Sequence, residues 1–419
     1  MKTTRRQFLF AAGLMPLVGS TRAANRRVVV VGGGWGGLSA ARHLRALAPD
    51  LEVVLIDRQP AFVSFALSNR WLVDAAAQGP ERHDYATLAA RWGYRFLQAE
   101  VSSIDRSAGI VIAGNERLSY DWLVIAPGIR ENYAAWQLED PAMIAELCYR
   151  HGGAMVNGAD LPALKQRLAS FKGGDLLMSI PPAPYRCPPA PYERAMLLAW
   201  WLKTRKIPGK LIIVDPNPIM PAFRSILLDR FKDQVTYFDH AKIHQIDPAR
   251  QTVSTEIDDI HFDAALLCPP QQAADLIWQA GLIRNEEGGR PSGWAAQGAI
   301  DFRSPADERV FIIGDSSGMV SPAFGLYPKT GHVANRMGLA VAQQIATQAT
   351  GREFPPLLPE SVCHVLSNVE PDEQTLIETS YRQRGDGFLL QQVKQTRNPN
   401  PGGEDVVWAE AMYRDFLRP

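Results

Sequence analysis

The sequence lacks several features that would point to common functional classes. Its 44 basic and 44 acidic side chains give no net charge, so composition offers no case for nucleic-acid binding. No uncharged apolar run reaches the roughly 18 residues that a membrane-spanning helix needs. Its few cysteines lie far apart and form no CxxC pair, which excludes a zinc finger or a disulfide-rich scaffold and leaves a single long-range disulfide open. They are Cys148, Cys187, Cys268 and Cys363.

Residues 1–24 are predicted to be a targeting signal rather than part of the fold. Arg5 and Arg6 precede a short apolar run, Phe8–Gly19, and small residues follow it around Ala23. This pattern is typical of a twin-arginine secretory signal, a route that exports folded and often cofactor-loaded proteins. A basic, disordered N-terminus is the alternative. The signal predicts a periplasmic redox protein, in a compartment where a disulfide persists.

The 419 residues allow two or three domains, and the first is predicted just after the signal. Arg27–Val31 is a continuous β-branched run typical of a buried parallel strand. A glycine-rich turn, a helix over 38–48 and a strand over 52–56 follow, and Asp57 ends that strand. This order is that of a dinucleotide-binding unit, in which GxGxxG glycines let the backbone approach a pyrophosphate and the acid holds ribose hydroxyls. The glycines are Gly32, Gly34 and Gly37.

A second unit repeats this order, with predicted strands at 175–180 and 210–215 and a helix at 192–206 between them. The turn at 181–189 is rich in proline where the glycine pattern should stand. Proline has no N–H to donate to a phosphate, and no glycine lets the backbone come close. The central unit is therefore predicted to keep the fold without a nucleotide, which disfavours NAD(P)H as the electron partner.

Two further strands are predicted to return to the first domain. Residues 120–125 lead into Ala126-Pro127-Gly128, and residues 309–313 lead into Gly314-Asp315. In flavoproteins with two dinucleotide-type domains, such turns close over the flavin and the acid takes a ribityl hydroxyl. Their order after GxGxxG predicts FAD rather than NAD as the ligand of the first domain.

Cys187 differs from the other cysteines in its surroundings. Cys148 and Cys268 fit buried small hydrophobes, and Cys268 ends a predicted strand. Cys187 stands among stiff prolines at the carboxyl edge of a predicted sheet, where ligands bind in such folds. It is therefore a candidate redox residue.

Residues 181–195 (PPAPYRCPPAPYERA) resemble the signature of the flavoprotein subunit of flavocytochrome c sulfide dehydrogenase, within the FAD-dependent pyridine nucleotide-disulfide oxidoreductases. The similarity runs through Leu67-Ser68-Asn69 and residues 328–335 and is looser beyond about residue 351. It implies a periplasmic enzyme that oxidises sulfide with FAD and a redox-active disulfide, here Cys187 and Cys363, and passes electrons to a c-type cytochrome. No CxxCH occurs, so haem is expected only on a partner chain.

One position departs from that family. Its members commonly attach FAD through a cysteine shortly before Leu-Ser-Asn, where this sequence has Phe65, so non-covalent FAD is expected. Lys329, just before a predicted helix start, is expected to stabilise negative charge on the reduced ring, with a solvated lysine as the alternative. The predicted catalytic residues are Cys187 and Cys363; no metal ligands are predicted. The predicted cofactor-binding residues are Gly32, Gly34, Gly37, Asp57, Arg58, Asn69, Val101, Ala126, Gly128, Gly314, Asp315 and Lys329.

The predicted fold class is α/β, with two Rossmann-like domains of the glutathione-reductase type and a C-terminal α+β segment that covers the flavin. Residues 25–145 and 272–348 are expected to form one discontinuous FAD domain. Residues 146–271 would form the inserted domain, and residues 349–419 the final segment.

Two other functions remain open. A sulfide:quinone oxidoreductase would need an amphipathic C-terminal anchor, but residues 398–403 break the tail and residues 408–417 are short and mixed in charge. A non-catalytic flavin electron-transfer protein is the third reading, and the retained Cys187 and Cys363 argue against it.

Overall fold

The computed structural model describes residues 26–321 and 324–418, so the predicted targeting signal lies outside the described residues. The α-helices are α1 (Trp35–Leu47), α2 (Ser68–Leu72), α3 (Tyr85–Trp92), α4 (Pro141–His151), α5 (Leu161–Ser170), α6 (Ala190–Thr204), α7 (Pro221–Ser225), α8 (Asp275–Gln279), α9 (Gly331–Thr350) and α10 (Glu404–Phe416). The strands are β1 (Arg27–Val31), β2 (Glu52–Asp57), β3 (Ala61–Val63), β4 (Arg82–Asp84), β5 (Arg95–Gln98), β6 (Val101–Asp105), β7 (Ile110–Ala113), β8 (Glu116–Ser119), β9 (Trp122–Ile125), β10 (Ile129–Glu131), β11 (Gly174–Ser179), β12 (Gly209–Asp215), β13 (Val235–Asp239), β14 (Gln245–Asp247), β15 (Thr252–Ser254), β16 (Asp259–His261), β17 (Ala264–Leu266), β18 (Gln271–Ala273), β19 (Ile283–Asn285), β20 (Pro291–Ala295), β21 (Arg303–Ser304), β22 (Asp307–Ile312), β23 (Met319–Ser321), β24 (Gly325–Leu326), β25 (Ser361–Asn368), β26 (Glu373–Gln383) and β27 (Leu389–Asn398).

The first domain is built on a parallel sheet of order β22-β9-β1-β2-β5, with the antiparallel β21 at one edge. Both faces of β1 are covered. Val28 and Val30 pack with α1 and α9, whereas Val29 and Val31 pack with the meander β6–β8. Two-sided burial explains the continuous run of valines, because a strand with one solvated face would alternate apolar and polar residues.

A second parallel sheet, of order β13-β12-β11-β17, forms the central domain. Its helix α6 begins at Ala190, two residues before the predicted start at 192. Pro191 lies in the first turn of α6, where the missing N–H removes no hydrogen bond and the fixed φ suits a helix. The helix thus follows the proline-rich turn at 181–189 directly.

The C-terminal segment is an antiparallel sheet of order β25-β26-β27, followed by α10. The strand β25 packs against α6 of the central domain and also against α9 and α10. It therefore carries Cys363 to the place where the two domains meet. Two parallel α/β sheets and a C-terminal α+β segment confirm the predicted fold class.

The strands of the first sheet come from residues 27–125 and 303–312, on either side of the central sheet in the sequence. The domain boundaries themselves stay predictions. Within residues 26–321 and 324–418, no helix combines the length and the apolarity that crossing a bilayer requires.

Candidate active site

The carboxyl ends of β1, β2, β9 and β22 open onto a cavity of about 560 Å³, a size typical of small-molecule sites. The proline-rich turn before α6, the strand β25 and the helix α10 complete its wall. Three parts of the chain that are distant in sequence therefore meet at one site. The predicted residues that line it are Gly32, Gly34, Asp57, Asn69, Ala126, Gly128, Cys187, Gly314, Asp315 and Cys363.

The glycine-rich turn after β1 has the geometry of a phosphate-binding loop. Gly32 has a φ of +98°, and a Cβ on Gly37 would lie 1.8 Å from the Gly32 carbonyl oxygen, so both positions require glycine. Gly34 lines the cavity, and a Cβ there would meet no atom within 4 Å. Because α1 begins at the next residue, its free N–H groups and positive end lie at this wall. The turn fits a pyrophosphate.

Asp57 braces this turn and also lines the cavity. Its Oδ2 accepts a hydrogen bond from the Gly33 N–H at 2.7 Å, and its Oδ1 accepts one from the Gln59 N–H at 2.8 Å. Each carboxylate oxygen can accept a second hydrogen bond. Asp57 can therefore hold the turn and a ribose hydroxyl at once.

Three predicted cofactor-binding residues are not brought to the cavity wall. Gly37 lies beneath the turn, where it permits the close approach to Gly32 rather than a ligand contact. The Arg58 side chain is exposed to solvent just beyond β2. Val101 begins β6, which leaves the sheet edge and joins the meander packed on the sheet face. The cofactor-binding roles of these three residues stay predictions.

Lys329 also lies outside the cavity wall, behind the turn Gly314–Ser317 that follows β22 and is called the β22 turn below. Only 3% of Lys329 is exposed, so the alternative of a solvated lysine is wrong. Its Nζ donates to the carbonyl oxygens of Asp315 and Ser317, both at 2.8 Å, and lies 3.7 Å from the centre of the Trp294 ring. Burial lowers the pKa of Lys329 to about 7, and the nearby Asp315 opposes this shift.

Cys187 and Cys363 both line the cavity and are partly buried. Burial raises the pKa of Cys187 to about 12 and holds the pKa of Cys363 well above its usual value; the charge of Cys187 raises the latter further. All four cysteines are free thiols in the structure, so the disulfide expected from the resemblance is not formed and the pairing stays a prediction. Cys148 and Cys268 do not line the cavity wall.

Glu193 is a cavity residue that the sequence interpretation missed. Its Oε1 accepts a hydrogen bond from Asn69 Nδ2 at 3.0 Å, and its Oε2 accepts one from the Leu366 N–H at 3.0 Å. Asn69 is oriented in turn by Arg194, whose Nε donates to Asn69 Oδ1 at 3.0 Å. The Asn69 amide is thus used within the protein. The available signal was a charged pair, Glu193 and Arg194, in an otherwise largely apolar helix.

The Glu193→Gln variant is expected to gain stability relative to the wild type as the pH rises. Burial raises the pKa of Glu193, so the folded state binds this proton more tightly than the unfolded state. The resulting stabilisation is present below the ordinary Glu pKa and is lost as the pH rises through the raised folded-state pKa. Thermal unfolding of both proteins at about pH 5 and about pH 8 measures the difference. Glu139→Gln, at an exposed position, is the control. If the melting temperature of Glu193→Gln minus that of the wild type does not grow as the pH rises, the expectation is contradicted.

The central domain has its own acid at the corresponding strand end, but it is not available to a ligand. Asp215 is fully buried, and its Oδ2 accepts hydrogen bonds from the hydroxyls of Tyr192 at 2.7 Å and Tyr237 at 2.6 Å. Its Oδ1 accepts the Asn217 N–H at 2.8 Å. The carboxylate that would hold a ribose in a second nucleotide site is therefore occupied by protein groups.

Two known family models match this chain, one in the first domain and one in the central domain. A family model described as pyridine nucleotide-disulphide oxidoreductase matches residues 26–147. A second, described as the central part of the sulfide dehydrogenase (flavocytochrome c) flavoprotein chain, matches residues 162–269. The sulfide dehydrogenase flavoprotein chain of Chlorobaculum thiosulfatiphilum is 52% identical over 44 residues, which are 10% of this chain and 92% of that relative. The chain belongs to the pyridine nucleotide-disulphide oxidoreductase family. The resemblance of its central part to the sulfide dehydrogenase flavoprotein is confirmed.

Proteins of lower sequence identity match over a greater length. The sulfide-quinone reductase of Aquifex aeolicus is 24% identical over 345 residues, 76% of each chain. The X-ray structure of the sulfide:quinone oxidoreductase from Aquifex aeolicus superposes with a TM-score of 0.71 at 18% identity and covers 94% of this chain and 93% of that one. At this identity the superposition establishes the shared fold.

Proposed function

We propose that the protein is a periplasmic, FAD-dependent sulfide dehydrogenase, which oxidises sulfide to sulfur or polysulfide and passes the electrons to a c-type cytochrome. The observation that carries this proposal is that Cys187 and Cys363, from distant parts of the chain, line one cavity together with a dinucleotide-type glycine turn. The similarity to a sulfide-quinone reductase and to a sulfide dehydrogenase flavoprotein chain supports sulfide as the substrate. The twin arginine at Arg5-Arg6 supports export to the periplasm.

FAD fits the residues of the cavity. Its pyrophosphate suits the glycine-rich turn, where Gly34 leaves open space, and Asp57 suits a ribose. Asp315 on the β22 turn also lines the cavity. Bound FAD supplies an acceptor for two electrons that can pass them on one at a time.

The cysteines and Glu193 supply the sulfur chemistry in this proposal. HS⁻ attacks one sulfur of a Cys187–Cys363 disulfide; a new S–S bond to the attacking sulfur forms, the old one breaks, and the other cysteine leaves as a thiolate. Burial raises the pKa of both thiols, so the freed thiolate readily takes a proton. Burial also raises the pKa of Glu193, which lines the same cavity, so we propose its carboxyl group as the donor of that proton.

FAD is expected to be bound without a covalent link. Phe65 lines the cavity where the resemblance would place an attachment cysteine, and its ring centre lies 6.0 Å from the Arg186 guanidinium. Denaturing the yellow protein with acid should release all of the flavin into the supernatant, because no thiol of this segment can form a thioether. Flavin that stays with the precipitated chain would contradict the expectation.

An anaerobic titration with sulfide tests the proposed function. Sulfide should bleach the flavin absorbance of the purified protein, and a c-type cytochrome added afterwards should restore it. A flavin that sulfide cannot bleach would refute the assignment.

The second candidate function is a sulfide:quinone oxidoreductase. It is favoured by the relative from Aquifex aeolicus, whose similarity extends over 76% of the chain. The same titration separates the two candidates. If a soluble quinone reoxidises the bleached protein much faster than cytochrome c does, quinone is the acceptor.

A further inference from the structure

Two basic side chains hold the β22 turn. Arg186 reaches it from the central domain, and Lys329 lies on the side of the turn away from the cavity. Arg186 Nε donates to Asp315 Oδ2 at 2.6 Å, and Lys329 Nζ donates to the Asp315 carbonyl oxygen at 2.8 Å. Both cations also belong to segments that hold Cys187. Arg186 precedes it in the chain, and the Cys187 N–H donates to the Lys329 carbonyl oxygen at 2.7 Å. The contacts therefore form a closed ring from Cys187 through Arg186, Asp315 and Lys329 back to Cys187.

Arg186 makes further contacts through its side chain and through its backbone. Its Nη1 donates to the Val156 carbonyl oxygen at 2.7 Å, while its backbone N–H donates to Gln271 Oε1 at 2.8 Å. The side chain of Arg186 is 21% exposed and that of Asp315 is 10% exposed, so solvent screens the ion pair only in part. A planar guanidinium can donate in two directions at fixed angles, which an ammonium group cannot.

The backbone of Cys187 needs this support. Its φ is +51°, in the left-handed region that residues other than glycine seldom adopt. Such a conformation persists where the surrounding contacts determine it. Here Arg186 fixes the turn on one side of the cysteine, and the Lys329 carbonyl oxygen fixes its N–H.

We propose that Arg186 is a positioning residue, which locks the Cys187 turn onto the β22 turn and thereby fixes the Cys187 thiol relative to a cofactor held by the first domain. Arg186 acts through Asp315 and is not assigned a contact with sulfide. The part of this proposal that concerns the cofactor rests on the proposed function. The part that concerns the thiol rests on the ring of contacts alone.

The test measures the thiol and the flavin separately. The FAD-loaded protein, reduced beforehand with a phosphine, is alkylated with iodoacetamide, and the labelling rate of each cysteine is followed by peptide mass spectrometry. In Arg186→Gln, Cys187 should be labelled roughly tenfold faster, because its turn opens more often. The flavin content should stay at the wild-type level, and bleaching by sulfide should slow by on the order of a hundredfold, since a small displacement of a reacting group has such a cost. Arg186→Lys should show intermediate values and serves as the test variant if Arg186→Gln does not fold.

Two internal controls separate positioning from general instability. Arg309 forms an ion pair with Asp307, whose side chain is 10% exposed like that of Asp315, so Arg309→Gln is a matched variant on the first domain. It should leave the labelling of Cys187 and the bleaching rate unchanged. Cys268, which is buried in the central domain, reports global unfolding and should stay protected in every variant.

The labelling experiment tests the positioning role of Arg186 even if the protein does not oxidise sulfide. An unchanged labelling rate of Cys187 in Arg186→Gln overturns it, whatever happens to the bleaching. Loss of FAD while Cys187 stays protected also overturns it, because Arg186 would then serve cofactor binding through Asp315. If sulfide bleaches the flavin of neither the wild type nor any variant, the proposed function is refuted. The labelling rates of Cys187 still decide whether Arg186 positions the thiol.

Discussion

Replacing Cys187 or Cys363 with serine is expected to abolish bleaching of the flavin by sulfide, by roughly a thousandfold or more, while FAD stays bound. A hydroxyl cannot form the disulfide that HS⁻ would attack, so the sulfur chemistry has no starting point. Neither cysteine belongs to the glycine-rich turn, so the binding of the pyrophosphate should not change. Stopped-flow absorbance under anaerobic conditions measures the rate, and the flavin-to-protein absorbance ratio measures occupancy.

Cys148→Ser is the control for this pair. Cys148 does not line the cavity, and its Sγ lies 2.9 Å from the Tyr133 hydroxyl, a contact that serine can reproduce in kind. It should bleach at close to the wild-type rate. If Cys187→Ser also bleached at that rate, sulfide would have to react with the flavin directly, and the electron-transfer reading of the protein would gain support.

Gly34→Ala is expected to fold like the wild type and to lose most of its FAD, whereas Gly37→Ala should lose both FAD and stability. A Cβ on Gly34 meets no protein atom within 4 Å, so it costs the apoprotein little, yet it fills space at the wall where a pyrophosphate would approach. A Cβ on Gly37 would lie 1.8 Å from the Gly32 carbonyl oxygen. Relieving that overlap requires a backbone shift, which we expect to cost about 3 kcal/mol of unfolding free energy.

The flavin-to-protein ratio and the thermal unfolding of the apoproteins measure the two effects independently. Gly385→Ala is the control, because its Cβ also meets no atom within 4 Å and lies on an exposed turn away from the cavity. Full flavin occupancy in Gly34→Ala would show that the pyrophosphate does not approach this turn closely.

Local patterns predicted the parts of the fold that local physics determines. The strand β1 has the predicted bounds, Arg27–Val31, because a run of valines between a charged residue and glycines has few other conformations. The start of α6 was predicted two residues late, although Pro191 fits a first helical turn. The bounds of β1 and the start of α6 both depend on interactions among a few neighbouring residues.

The site depends on contacts that no local pattern reports. The bond between Asn69 and Glu193 joins residues 124 positions apart, so neither residue type predicts the other. The burial of Lys329 depends on Trp294 and on carbonyl groups of the β22 turn, all of which only the folded chain brings together. Cys363 could be named beforehand only through a family resemblance, because spacing carries no information on which strand reaches a cavity.

The two tyrosines that cap Asp215 also make the central domain hard to convert into a nucleotide-binding domain by successive single substitutions. Removing Tyr192 or Tyr237 alone would leave a fully buried carboxylate short of one hydrogen bond, at an expected cost of about 1–3 kcal/mol, while the other ring still occupies the carboxylate. The gain of a ligand would require both changes together with glycines in place of the prolines. Each single substitution on the way to a nucleotide site in this domain therefore passes through a destabilised protein.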